Sequence, residues 1–165
     1  MPSISIHPVK LLCCLLLCSG AVQAKQSDYK EQIFVDASSQ QAELAINNGT
    51  YFGPVTITQG TTKITADDKV EIIRHDKPGS EEIIAYGKPA TFFQILDNGK
   101  PVTGKANKLN YKLKEKLIVL TDNAELKQYD SQVNGDLIRY DIEKQQMNAD
   151  STKKGSRVRS VFMPE

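Results

Sequence analysis

The 165-residue sequence predicts an all-β chain of antiparallel hairpins, packed as a sandwich, barrel or jelly roll. Three observations carry that reading. Val55 to Ile72 (VTITQGTTKITADDKVEI) alternates β-branched apolar residues with polar ones on either side of a Gln59-Gly60 turn. Period-two alternation puts one set of side chains on a buried face, the mark of half-buried strands. The unit also recurs. A shift of 69 positions carries Val55, Ile57, Gln59, Ile64, Ala66 and Asp67 onto Ala124, Leu126, Gln128, Val133, Gly135 and Asp136, and a shift of 35 carries the first three onto Ala90, Phe92 and Gln94. After a turn at Asp97-Asn98-Gly99, Val102 and Gly104 stand where Ile64 and Ala66 stood. Three copies at this spacing signal stacked repeats. Finally, no stretch after residue 24 supports a helix longer than two turns.

Residues 1–24 read as a cleaved secretory signal. Lys10 precedes the apolar run Leu11–Cys18, and Val22-Gln23-Ala24 offers a small-residue cleavage site. The run is far short of the ~20 residues of a membrane span. A lipoprotein signal would need a small residue where Leu17 precedes Cys18, so the soluble form is favoured. All three cysteines lie in this segment, so residues 25–165 use neither disulfide nor thiolate. Those residues suit one domain with a substantial core. A net charge of +1 gives no general electrostatic case for nucleic acid.

Gln32–Asp36 opens as a strand with Ile33 and Val35 on one face. Residues 38–46 admit either a short helix capped by Ser38 or Ser39, or a strand through Ala42, Leu44 and Ile46. The strand is favoured, because it runs into a hairpin-type turn at Asn47-Asn48-Gly49. Tyr51, Gly53, Val55 and Ile57 then fall on one face. Arg74–Glu81 is a polar loop, and Ile83–Gln94 returns as a strand bent at Gly87 and Pro89. Leu109, Tyr111 and Leu113 alternate before a turn, and a 29-residue shift gives Ile138, Tyr140 and Ile142 before another. Leu117–Thr121 and Asp122–Gln128 read as two further strands. Gly155–Met163 closes the chain with Val158 and Val161 inward.

The large inward residues Ile57, Phe92, Tyr111, Leu113, Leu126, Tyr140 and Met147 form one apolar stripe. It is either an ordinary sandwich core or, where the sheets splay, a groove for a long apolar ligand. Stacked units also leave strand edges at both ends for partners. Chemistry is sparse. His75 is the one histidine after residue 24 and sits in a loop, while Asp67 and Asp68 point to opposite faces of a strand. No phosphate loop or nucleophile elbow occurs. A glycan-active enzyme would need paired carboxylates across a cleft, and no pair stands out. The expectation is no enzyme, no metal and no cofactor. Lys153, Lys154, Arg157 and Arg159 read as charges that discourage edge pairing.

Several segments together resemble a known family. These are Gly53–Gly60 (GPVTITQG) with Lys63–Asp67, Tyr86–Gln94 (YGKPATFFQ) with Asp97–Gly104 (DNGKPVTG), Val119–Ala124 (VLTDNA), and Gly155–Met163. They resemble the OstA-like domain of lipopolysaccharide transport proteins, its periplasmic bridge members in particular, and the likeness runs from Ile33 to Pro164. The resemblance implies a semi-open antiparallel β jelly roll built from repeated hairpins, in the periplasm of a Gram-negative bacterium, whose interior carries acyl chains. It implies as partners lipopolysaccharide through its lipid A moiety, LptC-like inner-membrane-anchored and LptD-like outer-membrane OstA-domain proteins, and further copies of the chain head to tail. The implied lipid contacts are Ile33 at the N-terminal end, Phe92, Tyr111 and Leu113 in the groove, and Tyr29 at the entrance. Alternation alone adds Val35, Ile57 and Leu109. The alternative expectation is a closed β-sandwich adaptor that links envelope proteins through strand edges without carrying lipid.

Overall fold

The computed structural model describes residues 28–43, 45–46, 48–75 and 79–162; the expected signal at 1–24 lies outside them. Their strands form one 12-stranded sheet. They are β1 (Phe34–Asp36), β2 (Ser39–Glu43), β3 (Asn48–Phe52), β4 (Val55–Gln59), β5 (Thr62–Ala66), β6 (Lys69–Ile73), β7 (Glu82–Ile95), β8 (Pro101–Lys112), β9 (Leu117–Gln128), β10 (Ser131–Asp141), β11 (Gln146–Asp150) and β12 (Arg159–Val161). One three-residue 3-10 turn, Asp28–Lys30, precedes them.

The sheet is folded over along a crease that crosses every long strand near its middle. Register shifts fall between Tyr86 and Ala90 on β7, between Lys105 and Lys108 on β8, and between Gly135 and Leu137 on β10. On β9 the crease falls at Asp122 and Asn123, whose φ angles are 62° and 54°. Shorter strands turn from one side to the other on the same line, at Gly53-Pro54 and Asp67-Asp68, where the Gly53 amide donates to the Asp68 carbonyl at 2.9 Å. The residues at these corners explain why the strands bend there. Glycine and asparagine tolerate positive φ, proline removes a ladder donor, and aspartate bonds neighbouring amides. Asp67 Oδ1 accepts from the Lys88 amide at 3.1 Å. Asp136 Oδ2 accepts from the Thr152 and Lys153 amides at 2.8 and 2.9 Å, and from the Ser156 hydroxyl.

Two halves result. The first runs β1, β4 and β5, then the crease-to-turn segments of β7–β10 around Gln94, Val102, Gln128 and Ser131, and ends at β12. The second runs β2, β3 and β6, then the remaining segments of β7–β10, and ends at β11. The shared interior is packed with Phe92, Tyr111, Tyr140 and a shell of Ile, Leu and Val. Each large side chain removed from water contributes about 1.5–3 kcal/mol, so this interior is the main stabilising element.

The first and third copies of the repeat hold in register, with Ile57 paired to Ile64 and Leu126 to Val133. The middle copy needs correction by two residues: Phe92 pairs Gly104 and Ala90 pairs Ala106, so Gly104 and Ala106 stand where Ile64 and Ala66 stand, and Val102, opposite Gln94, takes the place of Thr62. Residues 39–43 are a strand, as favoured. Other expectations need correction. The turn after β2 includes Ala45–Ile46, with the Ile46 amide on the Glu43 carbonyl, whereas Asn48 and Gly49 of the expected turn lie in β3 and Asn47 falls outside the described residues. Gly49 pairs Ala42 inside the sheet, and a Cβ there would lie 3.1 Å from the Tyr51 ring; the glycine answers to the aromatic ring. Tyr51 and Val55 do not share a strand face, because Gly53 (φ 82°) carries the chain from one half to the other. Leu117–Gln128 is one bulged strand rather than two. Met147, Val158 and Val161 are exposed rather than buried: Met147 lies on the end strand β11, and Val161 pairs Gln132 on the outer face of the sheet, opposite to inward Val133.

The Ser156 hydroxyl and the Lys153 and Thr152 amides hold the Asp136 carboxyl below its ordinary value of 3.8. Its contribution is therefore present above the ordinary carboxylate range and lost as pH falls through the lowered value. The Thr152 and Lys153 amide resonances should titrate together with a midpoint below pH 3.8. A midpoint at or above that value would contradict the assigned bonds.

Candidate functional site

Interior side chains form rows that run across the strands, and each row lies at one depth. In the first half the row nearest the crease is mostly small: Val55 pairs Ala66, Ala90 pairs Ala106, and Ala124 pairs Gly135. Small side chains fit there because the two halves converge. The next row is large and apolar: Val35, Ile57, Ile64 and Phe92, then Leu126 and Val133 beyond Gly104. Gly104 leaves room for the other half, since a Cβ there would lie 3.0 Å from Leu120 Cδ1. The row at the hairpin tips is mostly polar, with Gln59 opposite Thr62, Gln94 on β7 and Gln128 on β9, interrupted by buried Val102 between the last two.

The second half answers with Leu109, Leu120 and Ile138 near the crease, then Ile83, Tyr111, Ile118 and Tyr140. The Phe92 and Tyr111 rings meet across the interior at 6.1 Å between centroids, tilted by 59°. That edge-on geometry is the favoured one for aromatic pairs.

Opposite the crease the hairpin tips of the two halves close a seam. Leu96, Leu113 and Ile142 are buried there. Gln128 Nε2 donates to Gln145 Oε1 at 3.2 Å across it. A cavity of about 60 Å³ lies on the seam, lined by Asp28, Thr61, Gln94 and Leu96 on one side and by Lys116, Ile142 and Glu143 on the other. The seam is held by side chains, the Gln128–Gln145 bond among them, whereas the crease is covalently continuous.

At the N-terminal end the halves part. A cavity of about 230 Å³ opens between Ile33 and Val35 on one side and Gly49, Tyr51 and Ile72 on the other, with Arg74 and Glu81 at its rim. A second opening, of about 510 Å³, continues past Ile33 to Gln59 and Leu113. At the opposite end Met147, Val161 and Phe162 are exposed. The interior is thus apolar from this mouth to the far strands, and among the described residues strand edges are unshared at β1 and β2 on one end and at β11 and β12 on the other.

Of the residues singled out in the sequence, Ile57, Phe92, Leu109, Tyr111 and Leu113 are all buried in this shared interior. Ile33 and Val35 are half-buried at the mouth. Tyr29 lies in the 3-10 turn beside the mouth, but its side chain falls outside the described residues. Tyr51 and Ile72 complete the mouth and were missed, because their alternation marks them only as core. No group of His, Cys, Asp and Glu among the described residues has the geometry to hold a metal. His75 is exposed, with Nε2 at 3.7 Å from Glu82 Oε1. Lys153 of the basic cluster pairs with Asp122 at 2.7 Å.

The family model described as LptA/(LptD N-terminal domain) LPS transport protein matches residues 34–146. The chain is 41% identical over 159 residues to the lipopolysaccharide export system protein LptA of Haemophilus influenzae, covering 96% of this chain and 92% of that protein. It is 43% identical over 150 residues to the protein of the same name from Escherichia coli, covering 91% and 80%. Identity to the lipopolysaccharide export system protein LptH of Pseudomonas aeruginosa is 34% over 134 residues, covering 79% and 75%. The fold is similar to the crystal structure of LptH, described as the LptA homologous periplasmic component of the lipopolysaccharide transport device of that organism. The TM-score is 0.75 at 28% identity, covering 84% of this chain and 99% of that one.

Burial pushes the Tyr140 hydroxyl up to about 12, with Tyr129 and Asp141 adding to the shift. That hydroxyl makes no hydrogen bond among the described residues. Removing an unmatched buried hydroxyl relieves its desolvation cost. Tyr140→Phe should therefore leave the urea unfolding midpoint unchanged or raised. Phe92→Ala should cost about 3–5 kcal/mol. A Tyr140→Phe loss above ~1 kcal/mol would mean that the hydroxyl is bonded.

Proposed function

The chain belongs to the family of LptA and the N-terminal domain of LptD, the lipopolysaccharide transport proteins, and from that premise we propose that it is a periplasmic bridge that shields the acyl chains of lipopolysaccharide within its folded sheet. The observation that carries this reading is the apolar interior, which reaches from the Ile33–Tyr51 mouth through Tyr140 to its exposed partner Met147 on β11. Each methylene kept from water is worth about 0.8 kcal/mol, so exposing several acyl chains to the periplasm costs tens of kcal/mol. An apolar channel removes most of that barrier and needs no catalytic group.

The seam sets how such a ligand is held. An amphiphile that slides along the interior keeps its polar head in water, so its neck must pass between the halves along one line. That line is the seam, where side-chain contacts such as Gln128–Gln145 are weak beside the continuous backbone of the crease. Phe92, Leu109 and Tyr111 are at most 1% exposed in the free chain, so acyl chains replace contacts made across the interior as the halves part. A uniform channel permits sliding in either direction. Direction therefore comes from energy applied elsewhere. At the ends, the free edges of β1 and β11 suit strand addition by further copies head to tail, and by LptC-like and LptD-like partners at the two membranes.

The filled interior is the observation that favours the alternative, a closed adaptor joined only through its edges. Lipid titration separates the two. Phe92→Glu is a poor probe, because a carboxylate forced into the core disrupts folding. Ile33→Glu changes the half-buried mouth instead. It should weaken binding of a fluorescent fatty acid by about tenfold or more with an unchanged circular dichroism spectrum. Equal binding by both proteins would remove the mouth from the path, and no binding by either would favour the adaptor.

A further inference from the structure

We infer that Gln59, Thr62 and Gln94 form a hydrogen-bonding rail inside the first half, which receives hydroxyl or amide N–H groups carried on the bound acyl chains; the inference rests on the lipid-binding reading above. The three side chains are only 3%, 3% and 4% exposed. They are adjacent, because Gln59 pairs Thr62, and the Lys63–Phe93 register continues to bring Thr62 beside Gln94. Gln59 Oε1, Thr62 Oγ1 and Gln94 Oε1 make no hydrogen bond among the described residues.

The orientation of both amides is chemically fixed. Gln59 Nε2 donates to the Glu31 carbonyl at 3.1 Å, and Gln94 Nε2 donates to Asp28 Oδ2 at 3.3 Å. A carbonyl and an ionised carboxylate only accept, so neither amide can be turned around without losing its partner. Both amide oxygens are thereby left as buried acceptors that need a donor, and buried polar atoms are rarely left so. A plain hydrocarbon chain supplies none. A chain with a hydroxyl, or one linked through an amide, supplies one near its polar end.

The depth of the row agrees with that assignment. Directly beneath it lie Ile57, Ile64 and Phe92, and beneath those the small residues of the crease. An amphiphile with its chain ends toward the crease and its neck at the seam passes its first carbons across the rail. On the facing half, the hairpin tips bring Ile142, Lys116, Glu143 and Gln145 to the cavity that Gln94 lines, and Ile83 and Ile118 lie one row deeper beside Tyr111. The three acceptors of the rail share one wall, so a chain hydroxyl turns toward the first half to reach them.

The test is competition of β-hydroxymyristate and myristate against a fluorescent fatty-acid probe on the full mature protein. The wild-type protein should prefer the hydroxylated acid by about fivefold, the value of one recovered bond. Gln94→Leu should bring the preference close to unity with myristate affinity retained. Thr62→Val, which changes a single hydroxyl, gives an independent reading where Gln94→Leu folds poorly, and should lower the preference as well. Equal displacement by both acids in the wild type would overturn the rail, leave lipid binding standing, and mean that water alone serves these oxygens. A preference that survives both variants would place hydroxyl recognition elsewhere and overturn the rail too. Displacement by neither acid would overturn the lipid-binding reading itself.

Discussion

A sheet that is apolar on one face must cover that face, and this chain does so by folding its own long strands over. The crease is the constraint from which the rest follows. Because β7, β8, β9 and β10 each cross it, both walls of the interior belong to the same strands and are joined by backbone on one side only. The opposite side is closed by side chains at the hairpin tips. Among the described residues no strand closes the circle between β1 and β12 or between β2 and β11. Seam, mouths and free edges are thus consequences of one bend repeated along successive strands.

The hairpins were legible in the sequence because their signal is local. Alternating Val55, Ile57, Ile64 and Ala66 around Gln59-Gly60 fix both period and turn, and the repeat at Leu126 keeps the same register; at Phe92 the longer turn shifts the returning strand by two residues from its expected place. The crease was legible where glycine and proline mark it, at Gly87 and Pro89. It was hidden at Asp122-Asn123, where non-glycine residues at positive φ look like the end of one strand and the start of another. Gly49 shows the opposite failure. Asn-Gly is a strong turn signal, but the ring of Tyr51 gives the glycine a packing role that neighbouring residues do not reveal. Alternation also misled from Tyr51 to Ile57, since a chain that crosses the crease keeps its inward period while changing walls.

Of the interior residues, Phe92, Tyr111, Leu109 and Ile57 were readable from period and position together with the family resemblance. The polar row was not. Gln59 and Gln94 were visible only as markers of the repeat, because what fixes their orientation lies at Glu31 and Asp28, far off in the chain. The amphipathic gradient from tips to crease emerges only when the rows are aligned across strands. That gradient has the same sense as an amphiphile held by its neck, with a polar line at the opening, large apolar groups below it and small ones at the bend.

The most direct measurement of whether the seam admits lipid is uptake of lipopolysaccharide by a chain locked shut. Cysteines placed at 128 and 145, where Gln128 and Gln145 touch across the seam, can be joined by a short bis-maleimide and compared with the same variant capped by a mono-maleimide. The account predicts that the bridged protein stays folded and takes up no lipopolysaccharide, while the capped protein binds it. Full uptake by the bridged protein would contradict the seam as the line of entry.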